Sequence, residues 1–596
     1  MNVLLQHLVI LPVVVPLVAG AAMLFLAEHR RKARVTLALV SVLVQLLVGI
    51  TLLYLTSDAA PFIWPEGVGV YAVGNWPAPF GIVLVVDRLS AVMITLSATV
   101  ALSTLVYAIA RWDRPGQPFH SLFQLQTMGL NGAFLTGDLF NLFVFFEVLL
   151  AASYGLLLRG VGAQRVKAGL HYIAVNLVAS LFFLIGVALI YGMAGTLNMA
   201  DLAGRAAKLT PNDRALFDAG AAILGVAFLV KAASWPLNFW LPGAYSIALA
   251  PVSSAFAMMT KVGLYALLRV GTILKEDETL AAALFYLGLA TLISGTIAML
   301  AAKHLARVVS FSLLASMGIL LTAFGLRIDA LTGPVILYMI VSVLTTSAFY
   351  MLTGMTDRTR IADAPLVPED HAMPQPLYIA YGIKKPSVYG GDQEEVGVAL
   401  PAAMAFLGLM FVCCALLVIG LPPLPGFVAK VELLATALRD PAVGENSWNS
   451  DVFMAAILIS GFISLIALSR IGMRVFWSVA ARATPRVRLL EAAPVAGLII
   501  LCLGLSVAAG PVARYLEAAA QSLHQPDTYV RSVLSAQRIW GNHRGWGRGH
   551  IGWSFSKRSR RSRLCSAWCW RFCSPGRARN CGPCGLLFAV LTWQPP

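Results

Sequence analysis

Charge is scarce in this chain: Asp, Glu, Lys and Arg make up 12% of its 596 residues, against about 25% in soluble globular proteins. That shortage excludes a water-soluble fold. Apolar runs follow one another so closely that no soluble catalytic domain fits between them. Cysteine is nearly absent before residue 531, where only Cys413, Cys414 and Cys502 occur. All three lie in apolar runs and read as small packing residues, so no metal site is suggested. No nicotinamide motif appears, and no cofactor is expected.

Apolar residues make up 59% of the chain, and the mean hydropathy is +0.78. Runs long enough to cross about 30 Å of hydrocarbon recur from end to end, so the chain reads as an all-α polytopic membrane protein with about 14 transmembrane helices. The first span, 8–27, is followed by Arg30, Arg31, Lys32 and Arg34, the reverse of a signal peptide's charge order, and is read as retained. With the N-terminus outside, most loop Lys and Arg fall inside, and both ends of the core then face out.

The formal net charge of +16 does not point to nucleic acid, because its excess is confined to the end of the chain. From Arg531 onward there are 11 Arg, one Lys and no acid, which leaves +4 for everything before it. Five of eight Cys and six of thirteen Trp also fall in 531–596. The abrupt change near 536–540 is what a reading-frame shift would produce, and a native tail should instead be found by mass spectrometry of the purified protein. Its Cys581-Gly-Pro-Cys584 lacks the strand and helix that a thioredoxin-type pair requires.

Two apolar spans carry helix breakers at their centre. Span 7 (219–241) holds Pro236, with Pro242 just beyond it, and span 12 (400–438) holds Pro422, Pro423 and Pro425. Proline removes a backbone donor and clashes with the preceding turn, so both helices should be interrupted inside the membrane. Interrupted helices at matching positions point to inverted repeats, here spans 4–8 and 9–13. The expected units are 1–118 with spans 1–3, 119–273 and 274–480 as the two blocks, 481–530 with the last span, and the tail 531–596. A polar loop at about 357–396, on the cytoplasmic side, is the one long insertion.

Within this apolar background stand Glu147, Lys231, Lys261 and Lys430. A charge near the bilayer centre costs between about 3 and more than 10 kcal/mol, so such residues are functional candidates by default. Glu147 and Lys231 suit a proton relay, in which desolvation lowers a lysine's proton affinity and a nearby carboxylate restores it. A static ion pair that fixes helix packing is the competing account, but three lysines against one clear carboxylate leave it incomplete. Asp138 reads as a boundary residue before span 5, Asp87-Arg88 as a local pair, and His304 as a solvated helix end.

Three stretches carry a specific resemblance: GDLFNLFVFFEVLLAASYGLLLRG at 137–160, LVKAASWPLNFWLPGAYSIALAPVSSAFAMMTKVGLYALLRV at 229–270, and GLPPLPGFVAKVELL at 420–434. They resemble the D subunit of Mrp-type (Pha/Mnh) cation/proton antiporters, which is similar in turn to the antiporter-like subunits of respiratory complex I. The resemblance covers roughly residues 1–535. It implies that Glu147, Lys231, Lys261 and Lys430 line a hydrated axis across the middle of the membrane. At 304–307, His-Leu-Ala-Arg replaces the family's common Asp-Leu-Lys-Arg, so the lysine is missing at that position, and with it any role in joining the two half-channels.

The function so implied is proton translocation within a multisubunit secondary antiporter of a bacterial inner membrane, exchanging H⁺ for Na⁺ or K⁺ beside other membrane subunits. The alternative is a proton-pumping subunit of a complex I-like or hydrogenase redox complex. A stand-alone solute permease is a weaker third, since no convergent pocket for an organic ligand is suggested.

Overall fold

The computed structural model describes residues 2–536 except 28, 60–63, 65, 114–118, 161, 275–277, 363–401, 440–442 and 477–486. The basic tail and most of the 357–396 loop therefore lie outside the described residues. The helices, in order, are α1 (Asn2–His7), α2 (Leu11–Phe25), α3 (Arg31–Leu55), α4 (Arg88–Arg111), α5 (Phe119–Leu135), α6 (Leu139–Leu157), α7 (Ala163–Ala194), α8 (Met199–Ala206), α9 (Pro211–Lys231) and α10 (Trp240–Ile247). They continue as α11 (Ala250–Leu274), α12 (Glu278–Ala301), α13 (Leu305–Gly325), α14 (Thr332–Ala362), α15 (Ala402–Ile419), α16 (Pro425–Arg439), α17 (Val443–Phe476), α18 (Leu489–Val507), α19 (Ala509–His524) and α20 (Pro526–Leu534).

Among the described residues, 11 helices are long and apolar enough to cross a membrane, and each coincides with one expected span. The other three expected spans are also helical. The first and fourth are the short helices α2 and α5, with 15 and 17 residues, and the seventh is divided into α9 and α10. Glycines let some of these helices approach closely. A Cβ on Gly288 of α12 would stand 2.4 Å from the Thr322 backbone nitrogen of α13, and one on Gly318 of α13 only 2.3 Å from that of Leu292.

Both proline-bearing spans are interrupted, and in the same manner. α9 stops at Lys231 and the chain turns through Ala233, at φ 54°, whereas α15 stops at Ile419 and turns through Gly420, at φ 81°. A left-handed residue ends each first half-helix. Pro236 lies in the first break, and Pro422 and Pro423 in the second. Pro242 does not lie in a break: it is the third residue of α10, and Pro425 is the first of α16. Amides of a helix's first turn have no intrahelical partner, so proline is tolerated there. Trp235, Leu237, Phe239 and Leu421 are exposed on the flank of the bundle at these breaks.

The two ends of the bundle differ in kind. One end carries a β-hairpin that the apolar pattern did not indicate, with β1 (Gly69–Ala72) antiparallel to β2 (Val83–Val86), and α20 packs against both α8 and β1 there. Asp87 and Arg88, expected to pair locally, do not. Asp87 caps α4 and takes a two-pronged ion pair from Arg269 at 2.6 and 2.7 Å, while Arg88 pairs with Asp58. Adjacent side chains on an extended cap point apart, which leaves each free to find a distant partner. The opposite end is rich in arginine: Arg31 and His120 hold Asp113 at 2.9 and 3.1 Å, and Arg488 donates to the Ala110 carbonyl.

Candidate functional site

α6 brings Glu147 to the side of α7, where Ser180 donates a hydrogen bond to its Oε1. Ser180 shares a face of α7 with Asn176 and Tyr172, each four residues from the next. Lys231, the last residue of α9, lies where the helix dipole is negative and favours a cation. Its ammonium stands 5.0 Å from the centroid of the Phe146 ring. Glu147 is near enough to act on Lys231 electrostatically, yet no direct ion pair within 4.0 Å joins them. A cavity of about 30 Å³ adjoins Lys231, lined also by Tyr172, Asn176, Trp240 and Tyr245. That is room for a water molecule.

Lys261 is completely buried in α11, and its ammonium donates to Ser316 Oγ at 3.1 Å and approaches Met317 Sδ at 3.0 Å, both on α13. No carboxylate pairs with it among the described residues. Lys430 rises from the first turns of α16, and its ammonium donates to the carbonyls of Val418 and Ile419 at 3.0 and 2.9 Å. Those carbonyls are the unpaired end of α15, so this lysine is held by a helix terminus in place of a carboxylate. Two lysines thus occupy the negative ends of the two broken helices, one from inside its half-helix and one from across the break.

Asp138 caps α6 by accepting from the Asn141 amide at 2.9 Å. Burial pushes its carboxyl above the ordinary value, against the pull of the Asn141 and Phe140 amides. His304 is exposed at the N-cap of α13 and makes no capping bond. Neither touches the lysines. Sequence reasoning passed over Ser180, Asn176, Tyr172, Trp240 and Tyr245, although the four-residue spacing of polar groups in span 6 is a usable signal.

Comparison with known proteins shows which family the chain belongs to. The family model described as "NADH:quinone oxidoreductase/Mrp antiporter, TM" matches residues 136–365, which takes in Glu147, Lys231 and Lys261. The D subunit of a probable K(+)/H(+) antiporter from Rhizobium meliloti (strain 1021) is 46% identical over 546 residues, covering 90% of this chain and 98% of that protein. The chain belongs to the D-subunit family of Mrp-type antiporters. The D subunit of an Na(+)/H(+) antiporter from Alkalihalophilus pseudofirmus is 31% identical over 89% of the chain and 100% of its own length. Among solved structures, the Mrp complex of Dietzia sp. DQ12-45-1b superposes with a TM-score of 0.73 at 25% identity, over 89% of this chain and 99% of that one. Respiratory complex I of Thermus thermophilus, at 22% identity and a TM-score of 0.61 over 85% of this chain and 99% of that one, shares the fold. A protein of this family is a multi-pass membrane protein that works in a complex with other membrane subunits.

Proposed function

We propose that this subunit translocates protons through Glu147, Lys231, Lys261 and Lys430, and that its complex exchanges H⁺ for Na⁺ or K⁺. The observation that carries the reading is the loose approach of Glu147 to Lys231. A static structural pair would close to direct contact, because buried charges repay their desolvation only with good geometry. Here Glu147 is held by Ser180, and Lys231 lies over an aromatic ring beside space for water. A small side-chain movement makes or breaks their interaction, and so loads or unloads a proton.

The path runs in two parts, one in each expected block, and the like interruption of the two proline-bearing spans supports that division. Block 119–273 holds Glu147, Lys231 and Lys261, and block 274–480 holds Lys430, each with one broken helix. The arginine-rich end faces the cytoplasm of a bacterial inner membrane by the positive-inside rule, so that the hairpin end and both core termini face out.

The test is cation/proton exchange by the full complex in membrane vesicles. Glu147→Ala or Lys231→Ala abolishes exchange while the complex still assembles. Exchange at the normal rate in either variant removes that residue from the mechanism. Separate assays with Na⁺ and K⁺ identify the cation.

A further inference from the structure

The cavity beside Lys231 has an unusual wall. Two of its lining residues, Tyr245 and Trp240, present buried polar atoms without a hydrogen-bond partner: the Tyr245 hydroxyl and the Trp240 Nε1. A buried donor left unpaired is destabilising, and native proteins satisfy such groups with ordered water where there is space. The cavity supplies the space, and Lys231 and Asn176 also line it. A water bonded to the Tyr245 hydroxyl and the Trp240 Nε1 has two partners, within the two to four usual for a buried site.

Tyr245 also faces a second direction. Its ring packs edge-on to that of Tyr350, with centroids 6.5 Å apart, and the Tyr350 hydroxyl donates to Ser310 Oγ at 2.9 Å. Ser310 is in the second turn of α13, toward the arginine-rich end. Tyr245 belongs to the second half of the first broken helix, whereas Tyr350 and Ser310 belong to α14 and α13 of the other block. Tyr245 therefore stands between Lys231 and a hydroxyl pair that leads toward one face of the membrane.

We propose that Tyr245 is a proton-conducting residue of this subunit, joined to Lys231 by water in the cavity and passing protons toward Tyr350 and Ser310 through a second water, since the Tyr245 hydroxyl bonds neither of them directly. In each passage the phenol oxygen accepts a proton on a lone pair as its own proton leaves to the next acceptor. No tyrosinate forms, no electron moves, and the hydroxyl must then rotate to reset. Tyr172 is not placed in this path, because its hydroxyl is engaged with Ser153 Oγ at 2.6 Å. Trp240 positions the water by donating from Nε1.

This inference rests on the relay reading, and the test separates the two. In the assembled complex, Tyr245→Phe removes one oxygen and keeps the ring against Phe256, Trp240 and Tyr350. The expected result is at least a tenfold fall in the maximal exchange rate with the KM for the cation unchanged, a split that a packing defect would not give. Tyr350→Phe, which cuts the path one step further on, shows the same split. If Lys231→Ala is inactive but Tyr245→Phe exchanges at the normal rate, the proposal is overturned and the relay stands. If Lys231→Ala itself exchanges normally, the relay reading falls first. Should Tyr245→Phe fail to assemble, Trp240→Phe and Tyr350→Phe decide, and normal rates in both overturn the proposal.

Discussion

Replacing Gly420 with alanine tests whether the second broken helix holds its lysine through turn geometry. Gly420 has φ 81°, and a Cβ built there would stand 2.6 Å from Lys430 Cδ and 3.3 Å from its Cε. The left-handed conformation alone costs a residue with a side chain about 1–2 kcal/mol. The close contact then forces the lysine stem aside, away from the Val418 and Ile419 carbonyls that it now reaches at 3.0 and 2.9 Å. A hydrogen bond from a charged donor contributes about 1.5–3 kcal/mol. Losing one of the two brings the total to about 2.5–5 kcal/mol, while a stem that re-seats leaves only the backbone cost. The matched control is Gly497→Ala, in α18, where an added Cβ meets nothing within 4 Å and is expected to stabilise by up to about 1 kcal/mol. Thermal unfolding of the purified complex and exchange in vesicles are read together. Gly420→Ala should unfold at a clearly lower temperature and exchange slowly, whereas Gly497→Ala does neither. Equal behaviour of the two variants would refute the coupling between the turn and Lys430.

Lys261→Met keeps most of the buried volume but deletes the ammonium that reaches Ser316 and Met317; exchange should be lost with assembly intact, as read by subunit co-purification. Asp87→Ala leaves the buried Arg269 without its carboxylate, a change that costs about 3–5 kcal/mol, and adding Arg269→Met should recover part of the lost thermal stability. Asp113 lies outside the spans, and although burial raises its proton affinity, its hydrogen bond to His120 and the charges of His120 and Arg31 bring it below the ordinary value of 3.8. The stability it contributes is present above that ordinary value and is lost as pH falls through its own lower one, so Asp113→Asn should destabilise the purified complex at neutral pH and matter less as melts are run toward about pH 3.

Much of this fold was legible because the bilayer restricts the choices. Apolar length alone located fourteen helical segments, eleven of them long and apolar enough to cross a membrane, and proline in mid-span located both breaks to within a few residues. Proline's position within the resulting half-helices was less legible, since Pro242 and Pro425 are compatible with a first helical turn as well as with a break. The hairpin went unread because its strands are four residues each and lie among residues that show no sustained alternation. Glu147 and the three lysines stood out by charge against an apolar background. Their partners did not, because Ser180, Ser316 and the Val418 carbonyl are ordinary components of any helix, and only folding brings them to a charge. The Asp87–Arg269 pair was invisible for a related reason: 182 residues separate its members, and the adjacent Arg88 offered a nearer but geometrically poorer match.

The exposed flank of each helix break bears on how this protein fares outside its complex. Trp235, Leu237, Phe239 and Leu421 surround unwound backbone on the outside of the bundle, and hydrocarbon does not tolerate unwound backbone at its surface. Thr291 and Ser294 satisfy part of the first break, through the Trp235 amide and the Asn238 side chain. Bonds within the turn, from the Ala233 amide to the Val230 carbonyl and from the Ser234 amide to that of Leu229, satisfy more of it. A copy outside its complex leaves this flank bare, and is expected to unfold at a lower temperature than the same chain within the complex, which thermal melts of both would read.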